Sequence, residues 1–75
     1  MKIPREQAVA RLREAGFSYK RRADRVEIYR QRGTGKIVNV SLRDLFDETY
    51  TRTVLHQAGL TPAQIEDFLL AAVKE

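Results

Sequence analysis

No cysteine occurs in the 75 residues, which excludes disulfides, thiolate nucleophiles and sulfur-ligated metal together. Tryptophan is absent and histidine occurs once, at position 56, so the usual general acid/base near neutral pH has a single candidate. No apolar run approaches the roughly 20 residues that a membrane-crossing helix needs, and the opening MKIPREQ contains no apolar stretch of signal-peptide type. The expectation is a cytoplasmic protein with no membrane partner. A single small domain, residues 1–75, fits this length, and its core must be built from hydrophobic side chains alone.

Charge of one sign is scarce where the other is abundant. Residues 1–36 carry eleven Lys or Arg against four carboxylates, a net +7, whereas residues 37–75 carry three against six, a net −3. With a sequence pI near 9.9, the chain presents an electrically polarised molecule whose N-terminal half suits a polyanion or an acidic protein. Seven of the cations fall between Ser18 and Lys36.

The hydrophobic spacing predicts an α+β fold in the order α-β-β-β-α-α. Ala8, Val9 and Leu12 form an apolar stripe over a helix from Pro4 to Ala15, stopped at Gly16, with Phe17 folding back into the core. From Ser18 the period becomes two. Strands are expected at 18–22, 26–31 and 36–42, joined by turns at 23–25 and 33–35, as a three-stranded antiparallel meander. The alternation puts Val26 and Ile28 with Val38, Val40 and Leu42 on the face that the helices cover. Tyr29, Ile37 and Asn39 are then left toward water or a partner.

Residues 43–48 read as a loop pinned by Leu45 and Phe46. Asp47 is placed to cap a helix over 48–58, with Tyr50, Val54 and Leu55 inward and Gly59 at its end. The last helix has the clearest start. Thr61, Pro62 and Gln64 form a capping box, followed by Ile65, Phe68, Leu69, Ala72 and Val73 at helical spacing.

Several motifs with chemical overtones have structural readings. GTGK at 33–36 lacks the longer loop, the Ser or Thr after lysine and the following helix of a phosphate loop, so its glycines are read as a hairpin turn. Asp44, Asp47 and Glu48 are acidic neighbours, but Asp47 already has a capping role and no second carboxylate set converges on them. His56 falls in the last turn of a helix, where an imidazolium complements the dipole. No metal, cofactor or catalytic residue is assigned.

Ala15-Gly16-Phe17 after the first helix, a strand containing Tyr29, a Gly-rich turn into Ile37-Val38-Asn39-Val40, and Leu55-His56-Gln57-Ala58-Gly59-Leu60-Thr61 together resemble the HicA family. The resemblance spans nearly the whole chain. It implies a fold related to double-stranded-RNA-binding domains and a role as a metal-independent endoribonuclease toxin neutralised by an acidic HicB-type antitoxin. The family's catalytic histidine, three residues before the strand tyrosine, corresponds to Val26 here. A second histidine, after the third strand, is also missing from Ser41-Leu42-Arg43. Catalysis is therefore expected to be lost or relocated.

The expected partner is RNA, held by Lys20, Arg21, Arg22, Arg25, Arg30, Arg32 and Lys36 with Tyr29 as a stacking ring. Tyr19 either stacks on a base or packs beneath the first helix. The alternatives are a nucleic-acid-binding module without chemistry and a basic docking domain for an acidic protein.

Overall fold

The computed structural model describes residues 2–73 without the side chain of Val73, so that expected inward position lies outside the described residues. The elements in order are β1 Lys2–Pro4, α1 Arg5–Glu14, β2 Phe17–Ala23, β3 Val26–Gln31, β4 Ile37–Ser41, β5 Leu45–Asp47, α2 Glu48–Gln57 and α3 Pro62–Val73. The main sheet is antiparallel in the order β2-β3-β4, as the periodicity predicts.

The termini of the helices are set by local chemistry. Asp47 Oδ1 accepts from the Tyr50 amide at 2.7 Å to cap α2. The Thr61 amide donates to Gln64 Oε1 at 2.9 Å while Thr61 Oγ1 accepts from the Gln64 amide at 3.2 Å, a reciprocal capping box at the start of α3. Gly16 and Gly59 leave α1 and α2 with φ of 92° and 90°, a conformation that a side chain would strain.

Two expectations are corrected. The segment 43–48 is not simply a loop, because β5 pairs antiparallel with β1, matching Ile3 to Phe46. Each strand has only three residues, too few for a periodic signal, and what holds them is the burial of Ile3 and Phe46. Leu45, expected to pin this segment, is exposed.

The second correction is the phase of β3. Arg30 lies opposite Ile37, so Tyr29 faces Val38 and Glu27 faces Val40, and the core side of the sheet carries Tyr29 rather than Val26 and Ile28. Pairing by one residue more or less would have exchanged the two faces completely. Tyr29 is only 2% exposed, and Val26 and Ile28 are half-buried on the outer face beside exposed Ile37 and Asn39. β4 also stops at Ser41, leaving Leu42 beyond it.

The core is continuous across the elements. Leu12 of α1, Phe17 and Tyr29 of the sheet, Phe46 of β5, Val54 and Leu55 of α2 and Leu69 of α3 all belong to one buried cluster. No buried side-chain nitrogen or oxygen lacks a partner among the described residues. Among the same residues, no helix is long and apolar enough to cross a membrane.

Candidate nucleic-acid interface

The β2–β3 hairpin turns through Asp24, whose φ of 54° is a left-handed value that Asp tolerates better than most residues. The pairing between the strands is regular at the tip, where Ala23 meets Val26, and slips between Tyr19 and Arg21. Lys20 is the extra residue of this bulge. A bulge bends an edge strand and re-aims its side chains, and bulges and charged side chains are features that discourage an edge from pairing with another strand.

Beyond the bulge, β2 and β3 approach the Arg32–Gly35 turn and enclose an open groove of about 520 Å³. Lys20, Arg30 and Arg32 line it with Tyr19, Gly33 and Thr34, and among the described residues no carboxylate does. The turn is held firmly. Gln31 donates from Nε2 to the Ala15 carbonyl at 2.7 Å and accepts the Thr34 hydroxyl at 2.6 Å, while the Arg32 amide donates to the Gly16 carbonyl at 3.0 Å. The end of α1 and the β3–β4 turn are thereby stitched together. The Arg30 guanidinium lies over Gly35, where an added Cβ would come within 3.5 Å of Nη2.

The seven expected cations therefore divide. Lys20, Arg30 and Arg32 share this groove. Arg21 lies opposite Ile28 on the same outer face as Arg30, and Arg25 is exposed at the hairpin tip. Arg22 lies opposite Glu27 on the other face. Lys36 reaches across to the end of α2, where an added Cβ on Gly59 would come 2.8 Å from Nζ, a place in which the ammonium complements the helix dipole. Among the described residues none of the seven forms an ion pair.

The aromatic residues also divide. Tyr29, expected to offer its ring to a base, is enclosed by the core, and its burial and the neighbouring Glu27 carboxylate raise its pKa above the ordinary tyrosine value. It therefore lacks both the surface for stacking and the acidity for a base. Tyr19 is 51% exposed and meets Tyr29 edge-on, the ring centroids 6.0 Å apart. It is the residue of the pair that remains available to a ligand.

Behind the hairpin, Arg5, Glu27 and Tyr29 form one network. The Arg5 guanidinium pairs with Glu27 and donates from Nε to the Ser41 carbonyl at 2.8 Å, and the Tyr29 hydroxyl donates to the same Glu27 Oε1 at 3.0 Å. The hydrogen bond from Arg5 is the main reason that the Glu27 carboxyl is held below its ordinary pKa, against the opposing effect of burial. Burial alone would lower the Arg5 value, but Glu27 and Tyr29 hold it above normal. Nothing in the strand alternation pointed to this network, because its members come from α1, β3 and the end of β4. The only local clue was a carboxylate two residues before a tyrosine in one strand.

His56 is exposed in the last turn of α2. Arg52, one turn earlier, is paired with both Glu48 and Glu66. Among the described residues no three His, Asp or Glu side chains are grouped so as to hold a metal ion. No protein-family model matches the chain, and no curated protein matches it significantly.

Proposed function

We propose that this protein binds RNA through the groove of Lys20, Arg30 and Arg32, in a HicA-like role within a toxin–antitoxin type system, with the ribonuclease activity of that family lost or moved to other residues. The observation that supports this reading best is three cations that, among the described residues, have no acidic partners and share one open groove with no carboxylate in its lining, beside a half-exposed tyrosine. Such a groove attracts phosphates by counterion release, and an aromatic ring at its rim adds contact with a base. Arg21 and Arg25 extend the positive surface along the hairpin.

The absence of histidine at position 26 supports the loss of chemistry. Val26 lies opposite Ser41 on the outer face and Ala23 across the hairpin, so neither cross-strand partner brings it an imidazole or a carboxylate. A second reading rests on that same face. Ile37 is 51% exposed beside Ile28 and Arg30, a combination of apolar contact and positive charge that would also suit an acidic protein partner.

Binding of a short single-stranded RNA across a salt series separates the readings. Three phosphate contacts give a slope of log K against log salt of about −2, and Arg30→Ala or Arg32→Ala reduces it by about 0.7 each. A protein with no detectable RNA affinity at low salt, yet co-purifying stably with an acidic protein, would exclude the RNA reading in favour of docking.

A further inference from the structure

A second open groove, of about 480 Å³, runs between α1 and the β2 edge, and Tyr19 lines it as well as the cationic groove. The two differ in charge. In the second, Arg5 is already paired with Glu27, and the remaining charges, Glu6 and Arg13 of α1, balance one another. Val9 supplies apolar lining between them, since residues 6, 9 and 13 fall on one side of the helix. The formal charges of its lining sum to zero, in contrast to the cationic groove. The second groove offers an aromatic wall, an apolar contact, and a hydrogen-bond acceptor and donor at its rim.

A ligand that uses both grooves must carry a polyanionic part and, joined to it, a flat uncharged part with donors and acceptors. A nucleotide within a strand has that composition, provided that its base is not engaged in pairing. We propose that the groove between α1 and β2 receives an unpaired base of a nucleic-acid strand whose phosphates lie in the Lys20, Arg30 and Arg32 groove, with Tyr19 as the wall shared by the two. This rests on the RNA-binding reading and adds a base-recognition site to it. The bulge at Lys20 is the structural device, since without it Arg21 would share the face of Tyr19, whereas the shift places Arg21 opposite Ile28 on the face of Arg30. Tyr29, packed edge-on, supports the ring of Tyr19 from the core side.

The test measures fluorescence anisotropy of the full chain with a short single-stranded RNA of mixed sequence and with the same strand bearing abasic sites. Base stacking of this kind predicts that abasic substitution and Tyr19→Ala each weaken binding by about 5-fold or more, while Tyr19→Phe does not. The abasic comparison needs no variant and so stands even if Tyr19→Ala perturbs the fold. Equal affinity for the intact and abasic strands, with Arg30→Ala still weakening both, would overturn the base site and leave the cationic groove intact. Absence of binding to either strand at low salt would overturn both.

Discussion

Arg5→Met removes the side chain that ties α1 to two strands of the sheet. The substitution keeps an unbranched apolar stem but deletes the Nε hydrogen bond to the Ser41 carbonyl and the charge pair with Glu27. The two charged side chains are 20% and 24% exposed, so water reaches both but does not dominate their surroundings. A hydrogen bond to a charged group contributes about 1.5–3 kcal/mol, and partial solvation of the orphaned carboxylate recovers some of that loss, leaving a net cost of about 2 kcal/mol. For a domain of this length each kcal/mol moves the melting temperature by about 4–8 °C, so a fall of about 8–16 °C is expected.

The pH dependence gives that prediction a second signature. Glu27 has a folded-state pKa below its unfolded value, so its contribution is present above the unfolded value and fades as pH falls through the folded one. The gap between wild type and Arg5→Met, measured by urea unfolding with circular dichroism, should therefore be widest near neutrality and narrow as pH falls below the ordinary glutamate pKa and through the lowered folded-state one. Adding Glu27→Gln to Arg5→Met should restore part of the loss, because much of it arises from an unpaired, half-buried carboxylate. A cost below about 0.5 kcal/mol, or one that does not change with pH, would refute the assignment of this network as the clamp between helix and sheet.

Two further outcomes follow from particular positions. Val26→His, on the outer face and only half-buried, should cost less than about 1 kcal/mol, in contrast to the larger penalty expected of a core site; cleavage of RNA by that variant, followed on a gel, would show that one missing imidazole separates this chain from an active enzyme. Thr61→Ala removes one half of the capping box on α3 and should destabilise the protein by about 1 kcal/mol in urea unfolding, whereas Thr61→Ser should be close to neutral.

Helix α3 and the caps of α2 were readable from the chain because each depends on neighbours within four residues. Thr61, Gln64, Asp47 and Gly59 act through local hydrogen bonds and backbone conformation. The three-strand meander was equally visible, since alternation and turn residues lie close together in sequence. The face of β3 was not. Val26 and Ile28 are more apolar than Glu27, and only the partner strand, which places Val38 opposite Tyr29, settles which side goes inward. Tyr29 can be buried there because its hydroxyl donates a hydrogen bond to Glu27 and Arg5, from another element, neutralises Glu27.

The basic character of residues 18–36 is a property of composition and needs no fold. How those charges are grouped is a matter of three dimensions. Arg30 and Arg32 join Lys20 across a strand pair and a turn, Lys36 is drawn to the end of α2, and the exposed ring is that of Tyr19 rather than Tyr29. Side-chain spacing along a chain states which charges exist, whereas strand register, a bulge and the path of a turn decide which of them a single ligand can touch at once.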